Sequence, residues 1–187
     1  MKLKFRELMK APMMGVNAYR WMEICFDNLN LSKEDVYLDI GCGGGHVEVL
    51  LSKSVKKIIG IDISEALIRF LNETTKPRNV EFHAVDVTKE APKEFLNQFD
   101  KCICIDVMEH IENPEKLSEF VSSVLKVGGE LVMTFPINNP HHGRNYFTKG
   151  KVYELFENTD LKTDINIIKL GKWGLLASQF MGLFERF

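Results

Sequence analysis

The segment LDIGCGGGHV at residues 38–47 constrains the fold of this chain most strongly, because four glycines occupy five positions directly after an apolar run. Each glycine inside regular structure costs roughly 0.5 to 1 kcal/mol relative to alanine. Four together predict a turn whose main chain is touched by a bound molecule. A glycine-rich turn between a first strand and a helix binds ligands at the carboxyl edge of an open parallel sheet.

The pattern from residue 36 onward is an alternation of strands and helices, which predicts a parallel sheet covered by helices. Strands are predicted at 36–40, 56–62, 79–86, 99–106, 129–135 and 163–170. Helices are predicted at 46–53, 64–74, 114–126 and 149–159. Ser64 and Thr148 are expected N-caps, Pro114 suits a first helical position, and Gly128 and Gly129 are expected to end the third of these helices.

The two ends of the chain are predicted to be helical, within a single domain over residues 1–187. Residues 1–30 would form a helical cover, with the helix at 15–29, and residues 36–170 the α/β core. The stretch 171–187 is expected to be an amphipathic helix that packs on the domain; a dimer contact, a substrate lid or a peripheral membrane contact are the alternatives. Its apolar residues at helical spacing are Trp173, Leu176, Phe180, Leu183, Phe184 and Phe187.

Composition places the chain among ordinary globular proteins, with 45% hydrophobic and 27% charged residues and a net charge of -2. This balance gives no electrostatic reason to bind nucleic acid. The cysteines form no C-x-x-C pair, so we expect reduced thiols and a cytoplasmic location. They are Cys25, Cys42, Cys102 and Cys104. The first ten residues lack a signal-peptide core, and no apolar run approaches the roughly 20 residues of a membrane span.

The spacing of the glycines separates two ligand classes. A dinucleotide site has the pattern G-x-G-x-x-G. Gly41, Gly43 and Gly45 give G-x-G-x-G instead, and His46 stands at the third glycine of the dinucleotide pattern. The motif VYLDIGCGGG resembles the first motif of the class I S-adenosylmethionine-dependent methyltransferases. This resemblance, which extends over roughly residues 36–165, implies a Rossmann-like fold: a doubly wound, mostly parallel sheet of six or seven strands flanked by helices.

The resemblance also assigns residues at the ends of the next two strands to the cofactor, S-adenosylmethionine. Asp62 would bind both ribose hydroxyls, a role that suits a carboxylate with two acceptor oxygens, and Ile63 would lie against the adenine. Asp86 would accept a hydrogen bond from the adenine amino group, and the amide of Val87 would donate to a ring nitrogen. Asp39 would position the glycine turn and the amino group of the cofactor.

The stretch CICIDVMEHI is similar to the fourth motif of the small-molecule branch of this family. Asp106 and Val107 would border the methionine part of the cofactor and the reacting methyl group. His110 would be a general base, or it would tether the loop structurally. The predicted cofactor contacts are Asp39, Gly41, Cys42, Gly43, Gly45, Asp62, Ile63, Asp86, Val87, Asp106 and Val107.

Candidates outside these motifs are fewer. Tyr19, Arg20 and Trp21 precede the glycine turn, where related enzymes bring a basic or aromatic residue to the methionine carboxylate; core packing is the alternative. The adjacent His141 and His142 would point apart on an extended segment, so no metal site is predicted. The residues that would line the substrate mouth are Arg144, Tyr146 and Phe147.

The predicted function is methyl transfer from S-adenosylmethionine to a small-molecule or lipid-like acceptor. Two other functions within the same family stay open: a non-catalytic cofactor-binding module or subunit of a larger methylase, and a protein or RNA methyltransferase. An NAD enzyme is a further alternative. The family usually has a seventh, antiparallel strand, whereas only 17 residues follow Leu170 and they were expected to be helical. The seventh strand is therefore absent, or the helix prediction is wrong.

Overall fold

The computed structural model describes residues 29, 31–75, 77–136, 148–168 and 179–186. These residues contain seven strands and four α-helices. The strands are β1 (Val36–Ile40), β2 (Lys57–Asp62), β3 (Val80–Ala84), β4 (Phe99–Cys104), β5 (Leu125–Pro136), β6 (Leu161–Ile168) and β7 (Gln179–Arg186). The helices are α1 (His46–Leu51), α2 (Glu65–Thr74), α3 (Pro114–Val124) and α4 (Lys149–Phe156).

The strands form one sheet in the order β3-β2-β1-β4-β5-β7-β6. Strands β1 to β5 pair in parallel, and β7 pairs antiparallel with β5 on one side and with β6 on the other. The strand order reverses between β1 and β4, which is where an open α/β sheet leaves a crevice at its carboxyl edge. The predicted fold class, a doubly wound and mostly parallel sheet, is confirmed.

The helices begin where the sequence predicts. The Ser64 side chain accepts a hydrogen bond from the Leu67 N–H at 3.4 Å, and that of Thr148 accepts one from the Lys151 N–H at 3.2 Å. Pro114 occupies the first turn of α3. The buried face of α3 packs on the sheet in the main core, with Leu117, Phe120, Val121 and Val124.

Helix α3 ends two residues earlier than predicted, because strand β5 already begins at Leu125. Leu125 has extended backbone and pairs with Phe99 on β4, so Gly128 and Gly129 lie inside the strand rather than after a helix. The register then shifts, and Gly128 has a φ of 77°. Two ionic contacts of Lys126 with the Asp100 carboxylate, at 2.7 and 2.8 Å, hold this irregular stretch against β4.

The predicted C-terminal helix is wrong over residues 179–186, which form β7. The spacing of its apolar residues fits one face of a helix, but a strand with a neighbour on each side also carries apolar residues in succession. Pairing with β5 and β6 satisfies the main chain along its length, from Glu130 opposite Glu185 to Pro136 opposite Gln179. A dimer or membrane contact made by a helix here loses its basis, and the family's seventh strand is present.

Several sequence predictions lie outside the described residues. These are the N-terminal helical cover at 1–28, the segment from 137 to 147 and residues 169–178. They include Tyr19, Arg20, Trp21, His141, His142, Arg144, Tyr146 and Phe147. Among the helices that are described, none has the length and apolar character needed to cross a bilayer.

Candidate cofactor and active site

The glycine turn is tied to the end of the neighbouring strand. The N–H groups of Gly41 and Cys42 both donate to the carbonyl oxygen of Ile61, at 2.8 and 2.9 Å. The turn therefore extends the β1–β2 ladder past the end of β1 before α1 begins. Gly45 is the N-cap of α1, with left-handed backbone at a φ of 69°.

Two glycines of the turn are required by packing within the protein. Gly41 has a φ of 79°, and a Cβ there would overlap with Cγ2 of Val107. A Cβ at Gly45 would lie 2.9 Å from the ring of Phe82. The Val107 side chain on the loop after β4 thus approaches the turn closely at Gly41, and the Phe82 ring on β3 does so at Gly45, so contacts within the protein account for these two glycines without a ligand.

Gly43 is different, because a Cβ there would meet no atom within 4 Å. Its φ of 47° still favours glycine. Gly43 is therefore the position of the turn with open space for a ligand to approach bare main chain, and that contact stays a prediction. At Cys42 only the main chain is available for the predicted cofactor contact, because the side chain is buried beside Ile68, Leu71 and Phe82. That burial raises the pKa of its thiol.

Asp62 lies at the end of β2, directly beside Gly43. One carboxylate oxygen accepts from the Gly43 N–H at 3.3 Å, and the other accepts from the Ser64 N–H at 3.0 Å. Ile63 is 72% exposed, which is unusual for a large apolar side chain. A carboxylate that fixes the turn, with an exposed apolar side chain next to it, is the arrangement expected for a nucleoside site.

Asp86 holds the turn after β3. Its Oδ1 accepts from the Thr88 N–H at 3.0 Å and from the Thr88 hydroxyl at 2.6 Å, and its Oδ2 lies 3.4 Å from Nζ of Lys89. The hydrogen bonds from Thr88 lower the pKa of this carboxyl. A carboxylate offers about four acceptor sites, so this turn leaves capacity for a ligand. Among the described residues, the Val87 N–H has no acceptor.

Asp106 has left-handed backbone, with a φ of 54°, and this conformation ends β4 two residues before the predicted boundary. Thr134 on β5 holds it: the buried hydroxyl accepts from the Asp106 N–H at 3.0 Å and donates to Oδ1 at 3.2 Å. A left-handed conformation at a residue other than glycine is costly and concentrates at functional sites. Thr134 was not predicted, since a threonine inside a strand is ordinary.

His110 is exposed at the end of a short 3-10 turn, Met108–His110, and its N–H donates to the Val107 carbonyl at 2.9 Å. Exposure suits a residue that meets a substrate, and the main-chain hydrogen bond suits a tether. The neighbouring Glu109 is fully buried, and burial raises the pKa of its carboxyl to about 7.

A second acidic group was also missed by sequence reasoning. Glu48 on α1 is fully buried, and Asp39 on β1 is 4% exposed. The two carboxyl groups interact directly, and burial raises the pKa of Asp39 to about 7 and also raises that of Glu48. Glu48 precedes Leu51 by three residues, so the helical period alone places it on the buried face.

Comparison with known proteins identifies the family. A model described as a methyltransferase domain matches residues 31–174. The chain belongs to the class I S-adenosylmethionine-dependent methyltransferases. It is an enzyme of that family, and the family implies use of S-adenosylmethionine. The alternative of an NAD enzyme is thereby set aside.

The individual relatives compared with this methyltransferase are less than 30% identical to it. A ubiquinone biosynthesis O-methyltransferase of Pseudomonas fluorescens (strain Pf0-1) is 29% identical over 95% of this chain and 79% of its own length. The solved structure of an S-adenosylmethionine-dependent methyltransferase from Methanosarcina mazei is 20% identical, with a TM-score of 0.65 over 83% of this chain and 94% of that one.

The fold of the methyltransferase is also shared by an enzyme named for another reaction. The [4+2]-cyclase SpnF superposes with a TM-score of 0.73 over 89% of this chain and 80% of that one, at 15% identity. The fold alone therefore does not determine the reaction.

Within the described residues, no cluster of three or more histidine, cysteine, aspartate or glutamate side chains could hold a metal ion.

Proposed function

We propose that this methyltransferase transfers the methyl group of S-adenosylmethionine to an oxygen of a small-molecule or lipid-like acceptor. The observation that carries the cofactor half of the proposal is the pairing of Gly43 and Asp62. Open space lies in front of the glycine, and the carboxylate accepts from its N–H at 3.3 Å. The oxygen acceptor is supported by relatives named for O-methyl transfer in ubiquinone biosynthesis.

The residues at the carboxyl edge have separate roles in this proposal. Asp62 binds the ribose hydroxyls, and exposed Ile63 covers one face of the adenine. The N–H of Val87, which has no acceptor among the described residues, donates to an adenine ring nitrogen, and Asp86 accepts from the adenine amino group. Asp106 and Val107 border the methionine part, on a loop that packs against Gly41.

S-adenosylmethionine supplies a methyl group that its sulfonium already activates. The protein therefore has to align the acceptor oxygen with the methyl carbon and exclude water, and such alignment is worth about 7 to 11 kcal/mol in favourable systems. Exposed His110 would remove the proton of the acceptor hydroxyl. Its position on a turn anchored to Val107 keeps it near the loop that borders the methyl group.

Isothermal titration with S-adenosylmethionine tests the cofactor half. Asp62→Asn keeps one oxygen that can accept from the Gly43 or the Ser64 N–H but removes the charge and the second acceptor oxygen, so affinity should fall at least tenfold while the fold is retained. Glu65→Gln is the matched control, because Glu65 is exposed three residues further along the chain. Equal affinity of the Asp62 variant and the wild type would contradict the assignment.

Methyl transfer is then measured with labelled S-adenosylmethionine against phenols, catechols, lipid hydroxyl compounds and small amines. We expect product with hydroxyl acceptors and a loss of rate in His110→Ala. Binding of the cofactor with no turnover on the whole panel would favour a non-catalytic module. Turnover on protein or RNA alone would favour the macromolecular alternative.

A further inference from the structure

The interior of β2 contains a glycine that makes room for a carboxyl group. Gly60 pairs laterally with Asp39 in the β1–β2 register. A Cβ at Gly60 would lie 2.5 Å from Oε1 of Glu48 and 2.7 Å from the Phe82 ring. The first turn of α1 therefore directs Glu48 onto the sheet, over the glycine and beside Asp39, underneath the turn that faces the cofactor.

Apart from Asp39, no described side chain is placed to form a hydrogen bond with the Glu48 carboxyl group. Its side chain is fully buried, and neither oxygen has a donor among the described residues. Two ionised carboxylates at one dry site repel each other, and one of them takes up a proton. A protonated carboxyl is a donor, so a single proton between Asp39 and Glu48 satisfies both groups.

In the part of the chain that the structure describes, the surroundings of the pair supply no positive charge. From β2, Asp62 adds a further negative group, and it raises the pKa of Asp39. Cys42 lies in the glycine turn, and Cys102 and Cys104 lie on β4; the pKa of each thiol is raised by burial and by the charge of Asp39. None of the groups that act on Asp39 or Glu48 within the described residues is a cation.

We propose that Asp39 and Glu48 share one proton in the ligand-free protein, and that Glu48 is a positioning residue which, through Asp39, couples binding of a cationic amino-acid group to release of that proton. The inference rests on the proposed function, since it requires the cofactor at this edge of the sheet. The ammonium group of S-adenosylmethionine would provide a positive charge that the described residues around the pair do not supply.

The sign of the pH dependence follows from this coupling. Burial raises the pKa of both carboxyl groups, that of Asp39 to about 7, so the pair retains at least one proton at neutral pH. A bound cation favours the ionised pair and lowers the pKa of the shared proton. Binding therefore releases a proton, and affinity rises with pH by up to tenfold per unit until the pH exceeds the pKa at which the ligand-free pair loses that proton.

Calorimetric titrations at several pH values, in buffers of different ionisation enthalpy, measure both the affinity and the number of protons released. 5′-Methylthioadenosine is the matched ligand, because it keeps the nucleoside and the sulfur but lacks the amino-acid group. We expect proton release with S-adenosylmethionine and none with 5′-methylthioadenosine. The nucleoside ligand should also bind independently of pH over the same range.

Glu48→Gln is the matched variant, since an amide of the same size donates permanently to an ionised Asp39. It should bind S-adenosylmethionine with little pH dependence and no proton release, and at pH 6 more tightly than the wild type. For a variant that does not fold, isotope-edited infrared spectra of the wild type give the same information. The carbonyl band of a protonated carboxyl group should disappear when S-adenosylmethionine is added.

The outcomes separate the two proposals. Absence of binding by both ligands would remove the proposed cofactor site itself. Binding of S-adenosylmethionine without proton release, with the same pH dependence as 5′-methylthioadenosine, would leave the site intact and overturn the shared proton. Unchanged proton release in Glu48→Gln would assign the proton to another group and also overturn it.

Discussion

The Thr134 hydroxyl bridges the main chain and the side chain of Asp106, accepting from its N–H at 3.0 Å and donating to its Oδ1 at 3.2 Å. This one side chain, buried on β5, fixes a residue with left-handed backbone at the end of β4. The geometry of the candidate methyl-transfer edge therefore depends on a residue that need not contact any ligand.

Thr134→Val should weaken both the fold and the cofactor site. Valine has nearly the same shape but leaves the Asp106 N–H without its acceptor, a loss worth about 1 to 3 kcal/mol when buried. Urea unfolding should show that loss, and titration should show weaker cofactor binding. Thr134→Ser keeps the hydroxyl and is expected to retain most of the affinity; equal losses in both variants would contradict a dominant role of the hydroxyl.

Gly41→Ala should destabilise the protein more than Gly128→Ala. Both glycines have a φ near 80°, so an alanine at either position takes on left-handed backbone at a cost of roughly 1 to 2 kcal/mol. Only at Gly41 does the new Cβ overlap with Val107, which adds about 1 to 3 kcal/mol of overpacking. The free energies of unfolding of the two variants measure the difference. Val107→Ala, combined with Gly41→Ala, should recover part of it.

Glu109→Gln should reduce the loss of stability of the ligand-free protein as the pH rises from 5.5 to 8. The folded state raises the pKa of Glu109 from 4.5 to about 7, so its contribution is fully present at low pH and is lost as pH rises through about 7. A shift of this size corresponds to on the order of 3 kcal/mol at pH 8. Urea unfolding at both pH values tests it, and an unchanged pH dependence would refute the assignment.

Arg186 and Asp160 should show a measurable coupling energy. On β7, Nε of Arg186 lies 2.7 Å from the Asp160 carboxylate, and Nη1 also contacts Asn97 and the Leu125 carbonyl. A double-mutant cycle with Arg186→Met and Asp160→Asn should give about 0.5 to 3 kcal/mol. Lys116 and Glu119, an exposed pair within α3, provide the control cycle, where we expect less than 1 kcal/mol. Strict additivity at Arg186 and Asp160 would argue against the placement of β7.

The sequence alone predicts the strands that carry the candidate cofactor site because glycine or aspartate residues mark the ends of these strands. The glycine turn, Asp62 after β2 and Asp86 after β3 each follow a short apolar run, and parallel strands bring such ends to one edge. Their partners were harder to foresee. Thr134 is ordinary in a strand, and nothing local pairs it with Asp106, which is 28 positions away.

Two other features were missed for a related reason. Glu48 was hidden because a charged residue in an amphipathic helix is expected to face solvent, although its spacing from Leu51 places it on the buried face and Gly60 leaves room for its carboxyl group. Strand β7 was mistaken for a helix because its apolar spacing fits both structures, and its two neighbours in the sheet decide between them. In both cases contacts distant in sequence outweigh the local pattern.

The place of β7 in the sheet bears on the order in which the enzyme can assemble. Strand β7 is made after β6 yet separates it from β5, so during synthesis β6 has no sheet neighbour until its successor has left the ribosome. The part of the sheet from β1 to β4, which carries most of the proposed cofactor contacts, pairs with neither of them and can form earlier. A nascent chain would thus have the proposed cofactor site in place beside an unpaired edge of β5. Insertion of β7 is then the step at which chaperones or other unpaired strands compete for that edge.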